Sequence, residues 1–306
     1  MKTLFIDCND QLAPVWRQVV RADDPPIDVN RTAFAADELP RLLDGYAICI
    51  DDHSYLPTPL AARCADLRHV VFLGTGAASY MNVGELAERG IRVHTIKGYG
   101  DTAVAEHTIA LMMAACRDVA RMDREIRSGH WVTREGLQLA GKTLGIIGLG
   151  GIGREVARIG RGVGMQVIAW NRTPRPGEAL VTLDELLARS DVISLHLVLN
   201  DQTRGLLGPA QMARVKPGAV LINTARGALV DETALIEALR DGRIRHAGVD
   251  VFENEPLVPD HPFAAMDNVT LTAHAGFRTL EASMTLLRRG IDIVKSIQQR
   301  AQPAVG

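Results

Sequence analysis

Short runs of apolar, often β-branched residues alternate along the chain with longer segments in which apolar residues recur every three or four positions. The first pattern predicts buried strands, and the second predicts amphipathic helices. In the first hundred residues, strands are predicted at 4–7, 46–50, 70–73 and 91–95, and a helix at 81–89. Strands that alternate with helices are typical of a parallel sheet in an α/β protein.

Residues 101–128 have the pattern of one long helix, with Asp101 placed to cap its start and Gly129 just past its end. The middle of this segment, TIALMMAAC, is apolar on nearly all sides. A helix that is apolar all round is buried. In a chain of two domains, we expect another domain or a second subunit to cover it.

From Lys142 onward the chain contains six more apolar runs, which are TLGIIG, MQVIAW, VISLHL, GAVLINT, AGVDV and NVTLTA. Six strands with crossover helices predict a full doubly wound sheet. Residues 279–300 are helical in pattern and have no strand of their own, so they should pack on the N-terminal unit. The predicted fold class is therefore α/β with two doubly wound domains, a smaller discontinuous one of residues 1–97 and 278–306 and a larger one of residues 98–277.

Composition narrows the function classes further. The 306 residues are 47% hydrophobic. Their formal net charge is -2, so the chain lacks the excess of positive charge that binding to nucleic acid or to an anionic membrane requires. The N-terminus lacks the pattern of a signal peptide, and no apolar run approaches the ~20 residues of a membrane-spanning helix. The four cysteines have no zinc-site spacing, so we expect buried free thiols, no metal and a cytoplasmic location.

The sharpest local motif is GLGGIG at residues 148–153, which follows an apolar strand and opens a helix. In this context the motif predicts a dinucleotide-binding turn. Gly148 would permit the tight turn, Gly150 the approach of backbone to a pyrophosphate, and Gly153 the close packing of helix on sheet. The helix N-terminus would offer N–H groups to the phosphates.

The next strand should end at the residue that meets the adenosine ribose. Asn171 stands there, 18 residues after Gly153 and next to Arg172 and Thr173. An acidic residue would accept a hydrogen bond from the ribose 2′-OH and repel a 2′-phosphate. Asn171 has no charge, and Arg172 can pair with a phosphate. The sequence therefore favours NADP(H) over NAD(H), and the alternative is that Arg172 is a solvated loop residue.

Three further strands are followed by residues whose side chains can take part in catalysis. Arg226 follows GAVLI, Glu255 follows HAGV, and His274 follows NVTL. Open α/β sheets bind their ligands at the carboxyl ends of the strands. We therefore expect these three side chains to converge beside the cofactor.

Taken together, these segments resemble the D-isomer specific 2-hydroxyacid dehydrogenase family across nearly the whole chain. The matching stretches, in order, are VAEHTIALMMAACR, GKTLGIIGLGGIGREVA, VTLDELLARSDVISLHLVL, KPGAVLINTARGALVDETALIEAL, HAGVDVFENEPL and NVTLTAH. The resemblance implies a Rossmann domain that binds NAD(P), a smaller flavodoxin-like substrate (catalytic) domain, and an oxidoreductase that acts on a small 2-oxoacid or D-2-hydroxyacid.

The resemblance also implies the roles of the site residues. His274 would be the general acid and base, Glu255 would orient it, and Arg226 would clamp the substrate carboxylate. The backbone N–H groups of Thr75 and Gly76 would bind the substrate together with Arg226 and His274.

The implied cofactor site is larger and includes Asp250, which would contact the nicotinamide amide. Its members are Val104, Gly148, Gly150, Gly151, Ile152, Gly153, Asn171, Arg172, Thr173, Thr224, Ala225, Arg226, Asp250, His274 and Gly276. In the family, the helix that corresponds to residues 101–128 forms much of a homodimer interface, so a homodimer is expected.

The substrate is less constrained by the resemblance. Glyoxylate and hydroxypyruvate suit an NADPH-dependent reductase of this family, while pyruvate or a bulkier 2-oxoacid stays open. The family commonly has proline where Ala273 and Val198 stand, and the loop GTGAASYMN lacks the usual aspartates. The alternative from another functional class is a corepressor-like protein that senses NAD(H) on the same fold.

Overall fold

The computed structural model of the chain describes residues 1–174 and 179–301. The strands are β1 Thr3–Phe5, β2 Asp28–Val29, β3 Ile48–Asp51, β4 His69–Phe72, β5 Arg92–Thr95, β6 Thr143–Ile147, β7 Gln166–Trp170, β8 Val192–Leu195, β9 Ala219–Asn223, β10 Ile244–Val249 and β11 Val269–Leu271. The helices are α1 Leu12–Val19, α2 Leu39–Leu42, α3 Thr58–Ala61, α4 Val83–Glu88, α5 Asp101–Arg117, α6 Val119–Arg127, α7 Gly151–Gly162, α8 Leu183–Arg189, α9 Pro209–Met212, α10 Glu232–Arg240, α11 Pro262–Ala265 and α12 Leu280–Ala301.

These elements form two units. The first unit contains Met1–Gly100 and the described residues from Arg278 onward, and the second is Asp101–Phe277. Each contains one parallel sheet with helices on both faces, which confirms the predicted α/β fold class with two doubly wound domains.

The sheet of the first unit has the strand order β2-β1-β3-β4-β5. Its side chains alternate between two apolar layers, because successive residues of a strand point to opposite faces. Phe5 packs with α1 and α12, whereas Leu4 packs with the layer that includes Leu39 and Leu86. Strand β2 was not predicted, because two residues are too few to show a periodic pattern.

The sheet of the second unit has the order β11-β10-β9-β8-β6-β7. All six strands predicted from residue 142 onward are present, and every pair is parallel. The direction of chain progression reverses between β6 and β8. Such a switch point opens a crevice at the carboxyl ends of the strands, where doubly wound sheets bind ligands.

The predicted single helix at 101–128 is wrong in one respect, because the structure divides it into α5 and α6. Asp118 lies between them in the left-handed region, with φ 55°. Aspartate tolerates this conformation better than most residues, and pattern reasoning alone did not reveal the break. The predicted end is correct: Gly129 has φ 86°, and its N–H donates to the Ile126 carbonyl at 3.0 Å.

The expected burial of TIALMMAAC against another domain or subunit is also corrected. Leu111, Met112 and Cys116 are buried within the second unit itself, in a core shared with Ile146 and Ile222. Helix α5 lies so close to strand β10 that a Cβ on Gly248 would be 3.4 Å from the Leu111 Cβ. The sheet of its own unit therefore covers most of this helix.

Two expectations drawn from composition can be compared with the structure. All four cysteines are buried and free, as expected. Among the helices of the described residues, none combines the length and the apolar content needed to cross a membrane.

Candidate active site

The glycine motif forms the turn between β6 and α7, beside the switch point of the sheet. Gly148 has φ 104°, a conformation that favours glycine. Its N–H donates to the Trp170 carbonyl at 2.8 Å, and a Cβ here would lie 2.8 Å from the His196 carbonyl. The tight turn predicted at Gly148 is therefore present.

The remaining glycines of the motif set the spacing around the start of α7. A Cβ on Gly153 would lie 2.1 Å from the Gly148 carbonyl oxygen, so only glycine lets the helix lie this close to the turn. Gly150, by contrast, has open space where a Cβ would stand. A backbone surface with free space before the N-terminus of a 12-residue helix fits a bound pyrophosphate. Ile152, between Gly151 and Gly153 in the first turn of α7, is partly exposed.

Asp101 does not stand before its helix as a cap but belongs to the first turn of α5. Its carboxylate lies against Gly151, where a Cβ would be 1.9 Å from Oδ2. One turn further along α5, the Val104 carbonyl accepts a hydrogen bond from the Thr108 hydroxyl, which lies 2.8 Å from that of Thr224. Helix α5 therefore contacts both the glycine turn and the loop after β9.

The segment after β7 holds the predicted ribose-binding residues. The Asn171 side-chain oxygen accepts a hydrogen bond from the N–H of Leu149 at 2.7 Å, which ties this segment to the glycine turn. Arg172 and Thr173 are exposed, and the Arg172 guanidinium contacts the Gln202 side chain. The proline at residue 176, one of two that indicated a loop here, lies outside the described residues.

The loop after β9 presents Arg226. The Asn223 side chain closes this loop, donating to the Arg226 carbonyl at 3.0 Å and accepting from the Ala225 N–H at 3.0 Å. Gly227 then lies directly on the loop after β10, because a Cβ on it would be 2.0 Å from the carbonyl carbon of Phe252. This close backbone approach makes Gly227 part of the site framework, and sequence reasoning did not single it out.

Glu255 and His274 meet across the loops after β10 and β11. Nδ1 of His274 lies 2.7 Å from Oε2 of Glu255. The other carboxylate oxygen of Glu255 accepts from the Phe252 N–H at 2.9 Å. His274 itself has φ 50°, and its N–H donates to the Asp250 carbonyl at 2.8 Å. A non-glycine residue held at positive φ beside a carboxylate is typical of a functional position.

Asp250 organises the loop that carries His274. Its carboxylate is buried and accepts hydrogen bonds from the Thr272 hydroxyl at 2.6 Å, the Ala275 N–H at 2.9 Å and the Gly276 N–H at 3.0 Å. Nε2 of His107, on α5, lies 3.3 Å from the same carboxylate and 3.0 Å from the Thr272 hydroxyl. His107 was not predicted, since only the packing of α5 on the sheet brings it here.

The two carboxyl groups of the site have lowered pKa values. For Glu255, burial acts to raise the pKa, but hydrogen bonds from His274 and Phe252 and the charge of Arg226 outweigh it. For Asp250, burial is likewise outweighed by hydrogen bonds from His107, Thr272 and the two backbone amides. Both side chains are therefore carboxylates at neutral pH, and Glu255 acts as a hydrogen-bond acceptor for His274.

The first unit contains the predicted substrate-binding loop after β4. Within the described residues, the N–H groups of Thr75 and Gly76 donate to no acceptor and therefore remain available to an anion. A neighbouring loop, after β3, is fixed by the Asp7 carboxylate, which accepts from the backbone of Asp52 at 2.9 Å and of His53 at 3.0 Å. Within the described residues, no cluster of His, Cys, Asp and Glu is arranged to hold a metal ion.

The structure thus brings Arg226, Glu255 and His274 to adjacent strand ends of one sheet, with Glu255 and His274 in direct contact. The glycine turn, Asn171 and Thr224 lie at the carboxyl ends of that same sheet. Thr75 and Gly76 belong to the other unit.

The chain is similar to several known proteins. The family model for the NAD-binding domain of D-isomer specific 2-hydroxyacid dehydrogenases matches residues 109–276. Hydroxypyruvate reductase of Thermotoga maritima is 39% identical over 301 residues, which cover 95% of this chain and 96% of that protein. D-3-phosphoglycerate dehydrogenase of Archaeoglobus fulgidus is 35% identical over 281 residues, which cover 89% of this chain but only 53% of that protein.

A solved glyoxylate reductase from Paecilomyes thermophila superimposes with a TM-score of 0.86 at 30% identity, covering 98% of this chain and 97% of that one. The chain spans about half the length of the phosphoglycerate dehydrogenase it matches and nearly all of the two reductases. The matched NAD-binding domain and the full-length similarity show that the chain belongs to the D-isomer specific 2-hydroxyacid dehydrogenase family.

Proposed function

We propose that the protein catalyses the NAD(P)H-dependent reduction of a small 2-oxoacid to the D-2-hydroxyacid. The observation that carries this proposal is the 2.7 Å contact between His274 and Glu255, at the sheet edge where Arg226 and the glycine turn also stand. A histidine paired with a carboxylate is the arrangement that a reversible proton transfer needs.

The residues that would hold the cofactor fit a dinucleotide. The pyrophosphate would lie on Gly150 and the first turn of α7, and the partly exposed Val104 and Ile152 and the exposed Thr173 would contact the rest of the molecule. When bound, the nicotinamide supplies a hydride, which no amino-acid side chain can do. The role of Asp250 toward the nicotinamide amide stays a prediction.

The proton for reduction would come from Nε2 of His274. Its Nδ1 is engaged by Glu255, which leaves Nε2 as the nitrogen that can face the substrate oxygen. The Glu255 carboxylate orients the imidazole and stabilises its charged form. Arg226 would clamp the substrate carboxylate with its planar guanidinium. In the oxidation direction, His274 would accept the same proton.

We propose NADP(H) as the preferred cofactor. The end of β7 carries Asn171, whose side chain is engaged by the Leu149 N–H, and no carboxylate stands at this position to repel a 2′-phosphate. Arg172 is exposed, and its guanidinium, which contacts the Gln202 side chain, would pair with the 2′-phosphate.

Glyoxylate or hydroxypyruvate is the substrate that we favour. The free N–H groups of Thr75 and Gly76 would bind a carboxylate. The segments after the neighbouring strands β1 and β3 carry the carboxylates of Asp7 and Asp52, and His53 is paired with Asp52 at 3.0 Å. A substrate with a second anionic group, such as a phosphate ester, would be repelled there.

We also propose a homodimer formed through the region of α5 and α6 and the segment that follows. Large apolar side chains are exposed here: Met113, Val119, Ile126, Trp131 and Val132. A cluster of five large, exposed apolar side chains in one region is typical of a protein–protein interface. Sedimentation of the purified protein as a monomer at micromolar concentration would contradict the dimer.

The free cysteines suit a reducing cytoplasm, which is the location we propose.

Initial rates with a panel of 2-oxoacids test the proposed function. Glyoxylate, hydroxypyruvate, pyruvate and phosphohydroxypyruvate are each offered with NADPH and with NADH. We expect rapid loss of reduced-nicotinamide absorbance with the first two acids and with NADPH. A preference for NADH would retain the reductase and remove the role of Arg172. Tight cofactor binding without turnover of any acid would overturn the proposal and favour a sensor.

A further inference from the structure

A cavity of about 460 Å³ lies in the first unit, between the end of β5 and helix α12. It shares no residue with the glycine turn or with the loops that carry Arg226, Glu255 and His274. Its size is in the range of small-molecule sites. Hydroxyl groups of Thr95 and Ser296 line it together with apolar residues of α12.

Cations dominate the lining of this cavity. Lys97, Arg289 and Arg300 all line it, and within the described part of the chain none of the three is paired with a carboxylate. The one carboxylate in the lining belongs to Asp292, and it accepts hydrogen bonds from Arg288 at 2.8 and 3.1 Å. Among the described residues that line the cavity, positive charges therefore outnumber negative ones.

Two contacts order the lining of the cavity. Nη1 of Arg289 donates to the Lys97 carbonyl at 2.6 Å, which fixes Arg289 across the end of β5. Nε2 of His94 lies 3.1 Å from Nδ1 of His69 on the neighbouring strand. Burial, together with His69, Arg92 and Arg300, lowers the pKa of His94, so its ring is neutral at neutral pH and available for hydrogen bonding.

We propose that this cavity binds a compact anion with two or more negative charges, of the kind that phosphate esters and polycarboxylates present. Three like charges that face one small volume repel one another, and a multivalent anion would relieve that repulsion. Guanidinium groups bind phosphate and carboxylate oxygens through paired hydrogen bonds, and the hydroxyls of Thr95 and Ser296 supply further donors. The apolar floor of Ile96 and Ile297 excludes water from one side.

Calorimetric titration with inorganic pyrophosphate and with citrate, at constant ionic strength, tests the proposal. Saturating NADPH is added to occupy the glycine turn, which could itself bind pyrophosphate, and the titration is repeated without it. The double variant Lys97→Gln/Arg300→Gln removes two charges but retains the contact of Arg289 with the Lys97 backbone. The matched control, Arg63→Gln/Arg89→Gln, removes two exposed charges of the same unit away from the cavity.

We expect one anion to bind per chain in the presence of NADPH. Affinity should fall about tenfold or more in the Lys97/Arg300 variant and change about twofold or less in the control. Binding of pyrophosphate alone assigns a phosphate ligand, and binding of citrate alone assigns a polycarboxylate. Ser296→Trp, which fills the cavity without altering its charge, should also abolish binding. Equal affinity in wild type and both double variants, or binding that NADPH eliminates, would overturn the proposal.

Discussion

Nδ1 of His274 lies 2.7 Å from Oε2 of Glu255, although the two residues stand 19 positions apart on different loops. Each partner is held by backbone independently of the other. Glu255 accepts from the Phe252 N–H, and His274 donates from its own N–H to the Asp250 carbonyl. The pair is therefore assembled before substrate arrives, which lowers the reorganisation that proton transfer requires.

Glu255→Gln should retain the hydrogen bond to His274 but remove the negative charge. We expect kcat for 2-oxoacid reduction to fall about 10²-fold, because the imidazolium loses its stabilising carboxylate. The pKa of Glu255 lies below its ordinary value. The wild-type rate should therefore show no titration of this carboxyl above about pH 5. Stopped-flow rates across pH check both points.

The control for this variant is Glu253→Gln, which removes an exposed charge two residues away. It should leave kcat within about twofold of wild type. Equal losses in the two variants would show that general electrostatics, and not the contact with His274, determines the rate.

Asp250→Asn should disturb the loop that carries His274. The substituted amide cannot accept from Thr272, Ala275 and Gly276 at once, so at least one buried donor loses its partner, at a cost of about 1–3 kcal/mol. We expect kcat to fall by about tenfold or more, since small misplacements of a catalytic group are costly.

The substitution Thr272→Val distinguishes the positioning of the His274 loop by Asp250 from a direct contact between Asp250 and the cofactor. The valine removes the hydroxyl that donates to Asp250 at 2.6 Å but leaves the carboxylate in place. A fall in kcat with an unchanged Kd for NADPH supports positioning. If Thr272→Val alters only the Kd, Asp250 acts on the cofactor alone.

The glycine turn offers a matched pair of substitutions. Gly153→Ala places a Cβ 2.1 Å from the Gly148 carbonyl oxygen, whereas Gly150→Ala meets nothing within 4 Å. We expect Gly153→Ala to lower the free energy of unfolding by about 1–3 kcal/mol, as overpacking does. Gly150→Ala should retain stability and weaken cofactor binding about tenfold or more, because its methyl group stands where the pyrophosphate would lie. Thermal unfolding and fluorescence titration with NADPH measure the two effects, and equal stability of both variants would contradict the packing role of Gly153.

The ion pair of Arg288 and Asp24 joins α12 to the segment after α1 within the first unit. The guanidinium donates to both carboxylate oxygens, at 2.6 and 2.7 Å, and the Asp24 side chain is only 2% exposed. Asp24→Asn should lower the free energy of unfolding by about 3 kcal/mol, because it removes the buried partner of Arg288 and leaves only the exposed carboxylate of Asp292 to pair with the guanidinium. Asp23→Asn breaks an exposed pair with Lys295 and should change the free energy of unfolding much less. Similar losses in both variants would contradict this difference.

The same pair predicts a pH dependence of stability. The hydrogen bond from Arg288 lowers the pKa of Asp24 from 3.8 to about 2. A carboxyl whose pKa is lowered in the folded state stabilises the fold above its unfolded pKa and loses that contribution as pH falls through the folded value. Wild type should therefore lose about 2 kcal/mol from this group between about pH 4 and pH 2, and Asp24→Asn should lack that component.

The sequence predicted the strands of the second unit, the glycine turn and the three strand-end residues, because each depends on local pattern. It did not predict the break at Asp118 or the contact of Asp101 with Gly151, since both depend on how α5 packs. His107 was missed for the same reason: it contacts Asp250, which is 143 positions further along the chain, only once the chain has folded. Long-range contacts of this kind have no signal in a single sequence.

The central claim is that His274 transfers the proton in 2-oxoacid reduction. The most direct test is the single-turnover rate of NADPH oxidation by glyoxylate in wild type and His274→Gln, with the Kd for NADPH measured on the same samples. We expect a rate loss of about 10²–10⁴-fold with a Kd that changes about twofold or less. A variant that oxidises NADPH at the wild-type rate would contradict the assignment of His274 and the account of the site built on it.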